Sequence, residues 1–213
     1  MPDRMKSEKI LDALQQLLEE KSIQHISVSE IAVKAGIGKG SIYYYFPSKD
    51  AIVDALVERS YAKPIDTAKS LSAQTGVSSL TRMAMLFQAC RTSSAAFLKQ
   101  DHSAAASTQE PSAAASVQEQ AFLHQKYLKY LISELKPALT DIISQGIDCG
   151  EICFDRPAAL AEIVLIVLAV KLDNSLVPSA PEETEDTIKG LIALLEKGTG
   201  VPAGALGYLS LFK

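Results

Sequence analysis

Apolar residues along this chain recur at intervals of three and four, and no stretch shows a sustained alternation of period two. The pattern predicts an all-α protein. From Ser7 to Leu18, Ile10, Leu11, Leu14, Leu17 and Leu18 line one face of a helix whose other face is charged. A second helix starts at Val28, because Ser27 precedes it and Glu30 lies three residues on, the spacing at which the two side chains satisfy each other's free backbone donors. It runs to Ala35, where Gly36 supplies the stop. A short third helix begins near Lys39, and Ser48 caps a fourth that continues through Ile52, Leu56 and Val57 to about Tyr61.

Beyond Pro64 the periodicity remains helical. Leu80, Met83, Leu86, Phe87 and Cys90 mark one helix reaching to about Leu98, and the Ala/Ser-rich stretch 101–117, broken by Pro111, reads as a loose connection. A long helix follows from Leu123 to Ile143 with Pro137 inside it, where a bend is expected. Asp155 is placed to cap the next helix, with Pro157 in its first turn, and that helix extends to about Leu176. Its segment from Ile163 to Val170 is apolar on all sides and requires cover all round. The last helix opens with Pro181, Glu182 and Glu183, acids that the helix dipole favours there, and ends at Gly198. The apolar tail Val201–Phe212 contains two glycines and is expected to pack irregularly.

Composition narrows the class. With 47% hydrophobic and 22% charged residues the chain matches an ordinary globular protein. The apolar run 163–170 is far shorter than the roughly 20 residues that span a bilayer, and the first residues lack the apolar core of a secretory signal. Three cysteines, Cys90, Cys149 and Cys153, suit a reducing compartment better than a disulfide framework. The expected location is the cytoplasm, with no membrane partner. Cys149 and Cys153 stand four apart with no histidine nearby, and His25, His102 and His124 are scattered, so no metal or cofactor site is expected. No Ser/His/Asp constellation, phosphate-binding glycine loop or paired acids stand at a catalytic spacing, so an enzyme is not expected.

A formal net charge of −4 speaks against a generally basic nucleic-acid coat. The distribution is uneven, however. Residues 1–63 are electrically balanced, and within 21–49 four lysines (Lys21, Lys34, Lys39 and Lys49) face one acid, Glu30. This stretch also reads as helix, glycine turn, short helix, the geometry that places a second helix in a DNA major groove. Its short helix carries Tyr43, Tyr44 and Tyr45 in succession. Successive helix positions point about 100° apart, so at least one phenol is exposed. The tyrosine hydroxyls, Ser41 and the ammoniums of Lys39 and Lys49 are suited to donate to phosphates, while Gly38, Gly40 and Ser41 leave room for close approach. Ile42 and Phe46 form the inward face.

The run from Ser27 to Ala32, then Ala35-Gly36-Ile37-Gly38-Lys39-Gly40-Ser41-Ile42-Tyr43 and Phe46-Pro47-Ser48-Lys49-Asp50, resembles the DNA-binding domain of the TetR-type (TetR/AcrR) bacterial transcription regulators over residues 7–60. The remainder resembles the family in layout. The resemblance implies an N-terminal three-helix helix-turn-helix domain at 1–47 and a larger helical effector-binding and dimerisation domain at 48–213. It further implies that Tyr43 and Lys49 bind phosphates, that Lys39, Ser41 and Tyr44 or Tyr45 lie closest to the DNA, and that Ser27, Val28 and Ser29 bring the first motif helix to the backbone. Two positions depart from the family's pattern: Gly38 stands where a hydroxyl cap is usual, and Tyr45 where His is frequent.

The same resemblance implies a double-stranded operator, near-palindromic and bound by a homodimer formed through the last two helices, about 158–176 and 182–197. It also implies an effector site in the larger domain. Its candidate lining is Met83, Phe87, Cys90 and Arg91 with Phe122, Tyr127 and Tyr130. The expected function is a ligand-responsive transcriptional repressor released by a small-molecule effector. The alternative is a co-activator or adaptor of the same fold that acts through a protein partner.

Overall fold

The computed structural model describes residues 4–89, 113–173 and 178–211, and every regular element among them is helical. In chain order these are α1 (Arg4–Glu20), a 3-10 turn (Ile23–His25), α2 (Val28–Ala35), α3 (Lys39–Tyr45), α4 (Lys49–Ser72) and α5 (residues 79–89). They are followed by α6 (Ala113–Asp148), α7 (Pro157–Asp173), α8 (Pro181–Thr199) and a second 3-10 turn (Gly207–Leu211). Among the described residues no helix is long and apolar enough to cross a membrane. The expected continuation of α5 to Leu98, residues 101–112 of the Ala/Ser-rich stretch and the end of α7 near Leu176 lie outside the described residues.

Local signals set most helix ends. Ser27 Oγ accepts from the Glu30 backbone N–H at 3.2 Å and Glu30 Oε2 accepts from Ser27 N–H at 2.8 Å, so the capping box at α2 is complete. Gly36 ends α2 at φ 67°, a left-handed conformation in which a side chain is strained. Ser48 Oγ accepts from Ala51 N–H at 3.1 Å and caps α4. Several ends differ from the sequence expectation, and α6 begins at Ala113, inside the Ala/Ser-rich stretch expected to be a loose connection and ten residues before Leu123. Helix α4 continues past Tyr61 and through Pro64 to Ser72, because Ile65 and Ala68 extend the buried stripe of Val57 and Tyr61, and that burial outweighs the missing proline N–H. At α7 the first helical bond runs from Leu160 N–H to the Arg156 carbonyl, so Arg156, not Asp155, holds the cap position. Helix α8 ends at Thr199 rather than Gly198, with Gly200 at φ 70° as the left-handed cap.

The described residues form two compact units. One holds the chain up to Ala62 and the part of α6 that ends at Tyr127; the other begins at Lys63 and resumes at Leu128. The first is centred on Ile10, Leu14, Ile23, Ile26, Ile31, Ile42 and Ile52, drawn from α1 to α4 and the 3-10 turn. Full burial of each such side chain contributes about 1.5–3 kcal/mol. Arg59 on α4 fastens this unit to α1 from outside, donating to Asp12 at 2.7 Å, Gln15 at 2.7 Å and Glu8 at 3.2 Å. The second unit buries Leu86 of α5, Leu135, Leu139 and Ile142 of α6, Leu165 and Leu168 of α7, and Ile188 and Leu191 of α8. Helix α7 is not covered all round: Ile163 and Ile166 remain 53% and 43% exposed.

Candidate functional site

In the first unit α2, the turn Gly36–Gly38 and α3 form a helix-turn-helix whose inner side is fixed by Ile31, Ala32 and Ile42, all buried. Gly38 takes an extended conformation before α3 and makes no side-chain cap, as the glycine there requires. The outer side of α3 is polar and open: Lys39, Gly40 and Ser41 are exposed, and Tyr43 and Tyr44 are 49% and 71% exposed. Tyr45 is half-buried, leans on the core and meets the Tyr44 ring in a T-shaped contact at a centroid distance of 5.2 Å. The three tyrosines thus divide into two outward phenols and one half-buried ring that supports Tyr44. Phe46 is half-buried against the same core.

At the start of α2, Ser27 and Ser29 are exposed and Val28 is half-buried. The Ser27 hydroxyl oxygen is taken up as a cap acceptor, which leaves its O–H able to donate outward. One turn beyond Ser29 stands Val33, 83% exposed, a β-branched side chain on the open face of α2 that sequence reasoning did not single out. Its only sequence signal is its four-residue offset from Ser29.

The four lysines of the basic stretch have different surroundings. Lys21 pairs with Glu30, and Lys34 with Glu20 at 2.7 Å. The Lys21 hydrogen bond, with those from Ser27, holds the Glu30 carboxyl down at about 2, and the Lys34 hydrogen bond lowers Glu20. Lys49 donates to the carbonyls of Ile23 at 2.7 Å and Ile26 at 2.9 Å, so its ammonium first of all ties the start of α4 to the segment before α2. An ammonium has three N–H donors, and the third stays available to an anion. Among the described residues Lys39 is the one of the four with neither an acidic nor a carbonyl partner. Further along the same unit, Lys126 of α6 binds Asp50 at 2.5 Å and Asp54 at 2.9 Å. Burial alone would lower its pKa, but the two carboxylates outweigh that and raise it.

The candidate effector residues separate. Met83 and Phe87 of α5 line an apolar cleft in the second unit, with Leu139 and Ile143 of α6, Val164 of α7 and Leu195 of α8. Phe122 and Tyr127 belong to the first unit instead. There Phe122 lies under the Lys126 ammonium, 5.6 Å from ring centroid to Nζ, and Tyr127 packs on Tyr61 at 4.3 Å. Tyr130 is half-buried and does not line the cleft. Cys90 and Arg91 lie outside the described residues. The cleft wall that sequence reasoning missed is the C-terminal segment, which contributes Val201, Leu206, Tyr208 and Leu209. Cys149 and Cys153 are exposed free thiols, and the described residues contain no group of three or more His, Cys, Asp or Glu able to hold a metal ion.

Comparison with known proteins agrees with this geometry. The sequence pattern described as "Bacterial regulatory proteins, tetR family" matches residues 10–56. The chain is 39% identical over 64 residues to the uncharacterized HTH-type transcriptional regulator YvdT of Bacillus subtilis, a match covering 30% of this chain and 33% of that protein. It is 45% identical over 49 residues to the HTH-type transcriptional regulator EthR of Mycolicibacterium smegmatis, 23% of each chain. The chain therefore spans a third or less of the curated relatives it matches. Over its whole length the fold is similar to that of RolR, solved in complex with resorcinol, with a TM-score of 0.57 at 16% identity, covering 97% of this chain and 93% of RolR. Residues 10–56, the helix-turn-helix described above, thus match the tetR family of bacterial regulatory proteins.

Proposed function

We propose that this protein is a cytoplasmic, homodimeric repressor that binds a near-palindromic DNA operator and is released by a small-molecule effector. The observation that carries the reading is the outward face of α2 and α3. Seven groups suited to phosphates or base edges, from Ser27, Ser29, Lys39, Ser41, Tyr43, Tyr44 and the third donor of Lys49, surround a short helix anchored from behind by Ile42. Tyr45 supports Tyr44 in this account, and Val28 seats α2. Residues 1–47, with Lys49 at the start of α4, carry DNA contact, and the rest of 48–213 carries effector binding and dimerisation. The exposed Ile163 and Ile166 of α7 and Leu194 of α8, 73% exposed, suit the isologous interface of a twofold dimer. The apolar cleft serves the effector. Repression is relieved by a population shift, as an effector that prefers the conformation with mismatched reading helices lowers DNA affinity by that preference.

The test is a mobility shift with fragments flanking the protein's own gene at two salt concentrations. Salt-dependent binding to one fragment supports the reading; no binding to any fragment overturns it.

A further inference from the structure

The C-terminal segment is folded into the cleft. Val201, Leu206 and Leu209 are buried, and Tyr208 is packed beside Phe87 with ring centroids 6.5 Å apart. Yet little of its backbone is tied to the rest of the unit. Among the described residues its N–H groups bond within the segment, Ala205 to Pro202, Gly207 to Gly204 and Leu209 to Leu206. The exceptions are two donated to one side chain: Glu196 of α8 accepts from Gly204 N–H at 2.8 Å and from Leu206 N–H at 3.2 Å. The segment is thus a 3-10 turn clipped by one carboxylate, with its apolar side chains inserted between helices.

The rest of the lining defines what else fits there. Among the described residues that line the cleft only Thr199 and Tyr208 carry side-chain polar atoms, and none is charged. Thr199 Oγ1 is already committed, donating to the Leu195 carbonyl at 2.7 Å. Burial pushes the Tyr208 phenol well above its usual range, so it is uncharged at neutral pH. None of these described lining residues offers a charged ligand a partner for the hydration it would lose.

Resting on the reading of this cleft as the effector site, we propose that the cleft takes an uncharged, apolar ligand, and that the segment 201–209 is its built-in competitor. The ligand enters by displacing Tyr208 and Leu209, and the Glu196 clip sets how much of its affinity is spent on that displacement.

Two aromatic probes that differ chiefly in charge test this on the full-length protein: neutral N-phenyl-1-naphthylamine and anionic 1-anilinonaphthalene-8-sulfonate. Fluorescence titration is expected to show the neutral probe binding at least fivefold tighter to Glu196→Ala and to Tyr208→Ala than to the unaltered chain, with no matching gain for the anionic probe. Amide exchange across 201–211 should speed up when the neutral probe binds the unaltered chain. Equal neutral-probe affinity in the three proteins, an unchanged tail exchange rate, or an equal gain for the anion overturns the proposal. Should Tyr208→Ala fail to fold, Glu196→Ala and the exchange measurement decide alone, since Glu196 does not line the cleft. None of these readouts involves DNA. A protein that passes them but shifts no DNA overturns the regulator reading alone, and one that shifts DNA with an inert tail overturns only this proposal.

Discussion

Ser27 and Glu30 close on each other at the start of α2, each side chain accepting the other's backbone N–H, at 3.2 Å and 2.8 Å. The same Glu30 carboxylate receives the Lys21 ammonium, so one acid secures both the cap and the chain that leads into it.

Removing the cap acceptor with Ser27→Ala is expected to lower stability by about 1 kcal/mol, read as a lower urea midpoint. Folding also holds the Glu30 carboxyl at about 2 against an ordinary 4.5, and its first cause is the Lys21 hydrogen bond. The stabilisation is complete above the ordinary value and is lost as pH falls toward 2. Glu30→Gln should therefore flatten the fall in stability over that acid window; an unchanged acid limb would refute the assignment.

Gly40 sits inside α3 with nothing within 4 Å of the position a Cβ would take, and its φ is not left-handed. A helix that gained only from local propensity would carry Ala there, about 0.5–1 kcal/mol more stable. Gly40→Ala is expected to raise the thermal midpoint and weaken DNA binding together. A gain in stability with unaltered DNA affinity would show that the bare face has no part in contact.

Gly146 is the opposite case. A Cβ there would meet Ser79 Oγ at 2.5 Å and Ile152 Cδ1 at 2.7 Å, inside the second unit. Ser79 has little room to yield, because its N–H and hydroxyl both donate to Glu151 Oε2. Gly146→Ala should cost about 1–3 kcal/mol by overpacking, measured by chemical denaturation. A neutral effect would mean that the α5 start and the turn after α6 are looser than they stand here.

Leu194 on α8, with Ile163 and Ile166 on α7, exposes apolar surface that burial in a dimer would remove from water. Leu194→Glu is expected to convert a dimer to monomers in sedimentation velocity while leaving the helical signal intact. A dimer that persists at low micromolar concentration would place the interface elsewhere.

How much of this was legible in the sequence depends on how local each cause is. Ser27, Glu30, Gly36 and Ser48 act within three or four residues, and each does in the structure what its spacing indicates. The expected end of α4 near Tyr61 fell short because the burial of Ile65 and Ala68, which carries the helix through Pro64 to Ser72, is tertiary. Lys49 was legible as a cation near the motif but not as the donor to Ile23 and Ile26, since carbonyls 26 and 23 residues away leave no trace in composition. The cleft was only half legible. Met83 and Phe87 lie one helical turn apart, whereas Tyr208 and Leu209 reach them through a turn held by Glu196, which no periodicity reports.

The central claim is that the open face of α2 and α3 binds DNA through its phosphates. Its most direct test is the salt dependence of binding to a fragment that the unaltered protein shifts, compared with Lys39→Ala. For the unaltered chain the logarithm of affinity should fall linearly with the logarithm of salt concentration, and Lys39→Ala should bind more weakly on every sequence with the slope reduced by about 1. Identical affinity and slope in the two proteins would contradict the account.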